Sequence, residues 1–306
     1  MKPQSFCKLL WPEKTFWNRS IDRHLSLETL EKLSFATATP VESLSQLSLA
    51  SFEGVLFPEL VRNGNTPWVL PLGIFHRKFR RSGLVFCPHC LSETEPYFRQ
   101  RWRLSFATVC LTHGTPLQES CPNCNAPIQP HRVEVGSRNP YTDRPLYVCS
   151  TCSFDLRASS AACFEVSTQW TCEHESYAYL KHGNERDEIG AEHFGLLRHL
   201  LSMLASRRSR LGPLRATVAQ ELGAPLLMSW KQKDPIAISF DAMQLADRRI
   251  FLGAAYWLMK TWPDRFLCIA RRANLRTSDL TRDFPHMPAS FLKLSAKLKM
   301  SDDPAP

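Results

Sequence analysis

A Pro-punctuated opening part with short helical runs, four C-x-x-C or C-x-x-H pairs between residues 87 and 152, and leucine-rich runs in the last third together predict a metal-stabilised α+β chain. The expected order is a mixed N-terminal unit over 1–83, two consecutive zinc ribbons or knuckles over 84–157, a connector over 158–190 and a helical domain over 191–306. At 306 residues the chain can bury a sizeable core, so the ligand pairs are not explained by small size alone.

The opening unit is read from HLSLETLEKL and VESLSQLSLASF, where Leu25, Leu27, Leu30 and Leu33 recur near helical spacing, followed by the extended stretch TPWVLPLGIF. The cysteine pairs lie among Pro, Gly and Asn, a composition that favours short strands and turns over long helices. Residues 158–190 are polar and irregular, and read as the connector. Beyond them, EHFGLLRHLLSMLAS sets Leu197, Leu200, Leu201 and Leu204 on one helical face. SFDAMQLADRRIFLGAAYWLMKTW does the same with Phe240, Met243, Ile250, Ala254 and Leu258, and Pro263 ends that run. No internal repeat or low-complexity tract is legible.

The charge balance, 38 basic against 29 acidic residues for a net +9, favours polyanionic partners or acidic protein surfaces. No run of 18 apolar residues and no secretion signal occur, so a soluble cytoplasmic protein is expected, with no membrane partner. In that compartment the eleven cysteines point to metal ligation and not to a disulfide framework.

The pairs are Cys87 with Cys90, Cys110 with His113, Cys121 with Cys124, and Cys149 with Cys152. Two residues between ligands let one tight turn present both to a tetrahedral ion, so each pair is half of a four-ligand shell. Four halves make two zinc ions. Pairing in chain order leaves loops of 19 and 24 residues (91–109 and 125–148), and Gly114 to Ser120 is then a hinge between two ribbons. A cross-braced arrangement, first pair with third and second with fourth, fits the spacing as well. Complete protein shells leave no position for water or substrate, which makes both ions structural. Cys7, Cys163, Cys172 and Cys268 read as core or surface residues. No Walker A loop, G-x-S-x-G elbow, H-E-x-x-H motif or Rossmann fingerprint occurs, and no catalytic residue is expected.

The run CPHCLSETEPYFRQRWRLSFATVCLTHGTPLQESCPNCNAPI resembles the core of the TniQ family, also called TnsD-like. The elements that match are Cys87 and Cys90, Tyr97-Phe98-Arg99, Trp102-Arg103-Leu104, Cys110 and His113 with Gly114 and Leu117, and Cys121 with Cys124. FWNRSIDR (16–23) and GNTPWVLPLGI (64–74) are similar to the family's approach to that core, so the resemblance covers roughly residues 5–155. Family members open with a helix resembling E-S-L-x-S-W-L-x-R-L-A; this sequence begins just after its place, so a truncated or reduced opening unit is expected. The resemblance implies a non-catalytic accessory protein of Tn7-like or related transposons. Such a protein marks the target and brings an AAA+ transposition ATPase to it, reading target DNA directly or docking on an RNA-guided CRISPR effector. Nucleoid association during transposition and a homodimer are further expectations. The alternative is a stand-alone zinc-dependent, sequence-specific DNA-binding regulator.

Candidate contacts to nucleic acid or partner are Arg77, Lys78, Arg80 and Arg81 in HRKFRR, because Arg and Lys neutralise phosphate charge. SRRSRLGPLR, with Arg207, Arg208, Arg210 and Arg215, follows a helix end, where cations complement the dipole. The segment from Arg265 to Lys297 is the helix-turn-helix candidate, with Arg271, Arg272, Arg276, Lys293 and Lys297 as its contact residues. Protein docking is its competing reading, with Phe291, Leu292 and Leu294 packing inward.

Overall fold

A computed structural model describes residues 3–13, 21–23, 25–61, 64–71, 83–130, 144–159, 167–181, 187–226, 239–284 and 286–299. Two compact units divide the chain, Met1–Trp170 and Thr171–Pro306, and the division falls within one helix. Candidate residues Arg77, Lys78, Arg80, Arg81 and Cys163 lie outside the described residues.

The first unit begins with α1 (Pro3–Leu10), α2 (Leu27–Thr37) and α3 (Val41–Ser45). Ser26 starts α2, its hydroxyl accepting from the Thr29 amide, and Ala38 ends it in a left-handed conformation at φ 53°. Of the expected leucine stripe, Leu30 is buried while Leu27 is exposed. The family-like stretches then meet through polar contacts across long sequence separations. Arg23 donates to the Gly64 carbonyl at 2.7 Å and to the Thr66 hydroxyl at 2.6 Å. Arg103, almost fully buried, pairs with Asp22 at 2.6 Å and donates to the Gly83 carbonyl. Residues 68–70 lie beside 103–105, with Leu70 N bonded to Arg103 O at 2.9 Å and Ser105 N to Trp68 O at 2.7 Å. Beneath them Trp68, Phe86, Trp102, Leu104 and Phe106 form the core, the Trp68 and Phe106 rings meeting edge to face at 5.8 Å.

Expected strand content is corrected here. Among the described residues the structure is helix-rich, and β pairing is limited to isolated bridges. The reason is local: the cysteine turns use up the residues between pairing positions, leaving one bridge per turn.

Stretch 158–190, read as an irregular connector, contains α5 (Ser167–Lys181). Its sequence STQWTCEHESYAYLK lacks an apolar period, yet Glu173, Ser176 and Tyr177 are buried. Ser176 Oγ lies 2.9 Å from His193 Nε2 and 3.1 Å from Tyr256 Oη, so a polar network stands where an apolar stripe would be sought.

The second unit continues with α6 (Asp187–Leu204), α7 (Gly212–Leu222), α8 (Leu245–Met259), α9 (Asp264–Arg272), α10 (Thr277–Thr281) and α11 (Ala289–Lys299). Helix α6 buries the expected face of Leu197, Leu200, Leu201 and Leu204. It packs on α8 and α11, while α9 packs on α7 and α8, and α10 on α11. The run expected to begin at Phe240 begins at Leu245 instead, because Phe240–Ala242 forms a single 3-10 turn. That turn delivers Asp241, buried, to Arg198 of α6 in a two-pronged ion pair at 2.7 and 2.8 Å. Ile250 is exposed and not part of the face.

Phe291 centres the last cluster, with Trp262, Phe266 and His199 ringing it at 6.0, 5.5 and 4.1 Å between ring centres. His199 is 4% exposed, its Nε2 has no hydrogen-bond partner, and burial pushes its pKa from 6.5 down to about 4. A folded-state pKa below the unfolded one means that the unfolded chain binds the proton first. His199 therefore costs nothing above pH 6.5 and destabilises the fold increasingly as pH falls from there through about 4. His199→Leu is expected to flatten that part of the stability-against-pH curve, measured by chemical denaturation followed by tryptophan fluorescence.

Candidate metal centre

Three of the four ligand pairs are built on one repeated turn. In each, the amide of the first ligand donates to the carbonyl five residues on: Cys110 to Thr115 at 2.7 Å, Cys121 to Ala126 at 2.9 Å and Cys149 to Phe154 at 2.8 Å. The amide after the second ligand returns to the first ligand's carbonyl, from Gly114, Asn125 and Ser153, at 2.8 to 2.9 Å. Those three residues have φ of 62°, 55° and 62°. Only glycine adopts such angles without steric cost, and asparagine tolerates them better than serine. The flanking bridges, Val109 with Pro116, Ser120 with Pro127 and Val148 with Asp155, keep the same register. A structural repeat is thus present that the residue identities did not disclose. Cys87 and Cys90 are presented differently: Cys87 precedes the short helix α4 (Pro88–Leu91), with Pro88 in its first turn.

These turns bring the eight side chains into two sets, Cys87, Cys90, Cys110 and His113, and Cys121, Cys124, Cys149 and Cys152, whose ligand atoms lie within 4.8 Å of one another in each set. Pairing is in chain order, and the cross-braced alternative is not what the fold forms. In the first set Cys90 Sγ is 3.5 Å from Cys110 Sγ, and His113 Nδ1 is 3.3, 3.6 and 3.7 Å from the sulfurs of Cys90, Cys110 and Cys87. In the second, the Cys121–Cys152 and Cys124–Cys149 sulfurs are 3.6 and 3.7 Å apart. A tetrahedral ion with bonds of zinc's length requires edges of about 3.8 Å between sulfurs and about 3.6 Å from nitrogen to sulfur. Both donor sets therefore fit a four-coordinate metal ion, with His113 bound through Nδ1.

The electrostatics of the bare ligands favour a cation. Cys90 is pushed up, first by its hydrogen bonds with Cys110 and Cys87, while the same contacts pull Cys110 down, so the thiols cannot ionise together. Cys152 is drawn down to about 6, first by the Asn123 amide, which donates to its sulfur at 3.4 Å. Backbone amides of His113 and Thr151 donate to the sulfurs of Cys110 and Cys149, each at 3.4 Å. The first centre is buried except at the imidazole; the second leaves Cys124 exposed.

Residues 114–120, expected as a hinge, are held on both sides. Leu117 N donates to Thr108 O at 3.0 Å, and Gln118 exchanges two hydrogen bonds with Phe86 at 2.8 and 2.9 Å. A segment whose amides are engaged this way cannot act as a free pivot.

Among known protein families, the one whose model matches the chain is TniQ, over residues 1–117. Over those residues the chain is similar to a TniQ domain. No curated protein and no solved structure matches. A TniQ domain implies a role associated with target selection in transposition. The match takes in the complete first metal set and stops before the second.

Outside the TniQ domain, the other candidate contacts separate. Arg271 and Arg276 are exposed at the end of α9 and the start of α10, whereas Arg272 is paired with Glu221. Lys293 is exposed on α11; the Lys297 side chain lies outside the described residues. Arg208 and Arg210 both pair with Asp283, and the Arg215 guanidinium donates to the Ser206 carbonyl at 2.5 Å. Phe291 and Leu294 of α11 are buried and Leu292 is exposed, so the inward packing expected of all three holds for two. Glu93 and Arg99 beside the first set, and the left-handed Asn125 and Ser153, were not singled out as site residues. The last two had a legible signal, since each follows a second ligand directly, as Gly114 does.

Intact chain is expected to hold two metal ions, and Cys124→Ser to hold one, with the first centre retained. Elemental analysis of dialysed protein measures both values, and a wild-type chain that is folded and metal-free would contradict the donor geometry.

Proposed function

We propose that this chain is a non-catalytic target-selection adaptor in DNA transposition, in which a zinc-stiffened TniQ domain and a helical second unit link a target complex to an AAA+ ATPase. The observation that supports it is the TniQ match ending on a four-ligand set. Zinc is the ion proposed, because three thiolates with one imidazole, and four thiolates, are its usual structural shells. Each shell is completed by protein, leaving no coordination position for water or substrate, which favours a structural role. Zinc binding is worth about 10–16 kcal/mol in zinc-finger peptides, as much as the whole stability of a typical domain, so chelation should unfold the region around the centres. The target is either DNA read directly or a target-bound, RNA-guided CRISPR effector. Pull-down of the cognate ATPase by the zinc-loaded chain is the test. Retention lost on chelation is the expected result, and no retention under conditions that support transposition would overturn the reading.

A second reading, a free-standing DNA-binding regulator, draws on the basic α9–α10 corner, where Arg271 and Arg276 are exposed. It requires the isolated chain to hold a specific duplex. Each phosphate contact contributes about 0.9 to the slope of log affinity against log salt. Changing Arg271 and Arg276 to Gln is then expected to reduce that slope by about 1.8 in a titration series. An unchanged slope removes these two residues from the interface.

A further inference from the structure

Resting on the reading of the first ligand set as a zinc centre, we propose that Arg99 is its outer-sphere positioning residue, a guanidinium that holds Glu93 against His113 and sets its positive charge beside the ligand sulfurs. Tyr97, Arg99 and Trp102 belong to one sequence motif that neither ligation nor the second reading uses. In the structure they form a clamp beside the first centre. The Arg99 Nη1 donates to the Tyr97 hydroxyl at 2.8 Å, and Nη2 to both carboxylate oxygens of Glu93 at 3.1 and 3.3 Å. Glu93 Oε1 in turn stands 3.9 Å from His113 Nε2, the nitrogen left over when Nδ1 faces the sulfurs. The carbon at the centre of the guanidinium lies 4.8 Å from the Tyr97 ring centre and 6.0 Å from that of Trp102, which is fully buried.

The remaining guanidinium nitrogen completes the argument. Nε of Arg99 is buried without a hydrogen-bond partner, and the guanidinium charge acts on the Cys90 side chain. Sulfur is a soft, weak acceptor until it is ionised; a thiolate gains more from a cationic donor than a thiol does. Three thiolates and a neutral imidazole around a divalent cation sum to a net charge of −1. A guanidinium at the rim offsets that charge where the site is shielded from water. Glu93 has the complementary task, since a carboxylate facing the outer imidazole nitrogen favours a proton there and leaves Nδ1 for the metal. Lysine offers one point charge and no fork, so it cannot serve Tyr97 and both oxygens of Glu93 together.

Outer-shell partners of this kind change metal affinity by about 10- to 100-fold. The experiment uses the full chain loaded with two zinc ions and titrated with a competing chelator at fixed pH, the second centre serving as internal reference. Arg99→Gln is expected to weaken one ion by at least tenfold and leave the other unchanged, with Arg99→Lys intermediate. The cobalt-loaded Arg99→Gln chain is expected to show its sulfur-to-metal charge-transfer band at lower energy, because a positive charge beside the sulfurs has been removed. If Arg99→Gln does not fold, Arg99→Lys alone carries the comparison with wild type. Equal affinities in all variants, a parallel weakening of both centres or an unmoved cobalt band would overturn the proposal. A folded wild-type chain that binds no metal at the first set would instead remove the centre on which it rests, and the proposal with it.

Discussion

Crowded thiols are the constraint on which the first unit depends. In the first set two sulfurs stand 3.5 Å apart, with a third sulfur and an imidazole close by. Two unit charges at that distance repel by about 5 kcal/mol even at an effective dielectric near 20, so several thiolates cannot coexist there alone. A divalent cation reverses the sign of the interaction. It would help the backbone keep turns whose flanking pairing is one bridge long. The surrounding core then has its boundary fixed: Phe86 precedes Cys87, and Val109 precedes Cys110, and both are buried.

A polar scaffold supports that boundary from the amino-terminal side. Arg23 and Arg103 reach carbonyl, hydroxyl and carboxylate partners that lie tens of residues away, and they tie together three stretches the TniQ resemblance identifies. These residues are therefore explained by architecture: each satisfies backbone groups that the irregular, strand-poor course of the chain leaves without ladder partners. The motif around Tyr97 to Leu104 divides its labour, with Trp102 and Leu104 in the core, Arg103 in the scaffold and Arg99 paired with Glu93 beside the first ligand set.

What could be read beforehand followed from periodicity and spacing. The eight ligand candidates come from the two-residue gap, their grouping in chain order is one of two arrangements that spacing allows, and the α6 face comes from four leucines at helical intervals. Helix α5 was illegible because its buried side chains are Glu173, Ser176 and Tyr177, and the partners of Ser176, His193 and Tyr256, lie elsewhere in the sequence. The start of α8 was misplaced for a related reason. Phe240 and Met243 have the right spacing for the helix, but Asp241 is drawn into an ion pair with Arg198, and the chain turns there. The supposed hinge at 114–120 failed because sequence gives no sign that Phe86 pairs with Gln118. In each case a partner distant along the chain outweighed the local pattern.

The link between Asp22 and Arg103 spans 81 residues. At a synthesis rate of about 5–20 residues per second, the aspartate emerges about 4–16 s before the arginine that receives it. For that interval the nascent segment has neither Arg103 nor the aromatic residues Trp102 and Phe106. The opening helices must wait in a solvated, unfinished state, open to chaperones, until translation has passed the second half of the first metal set.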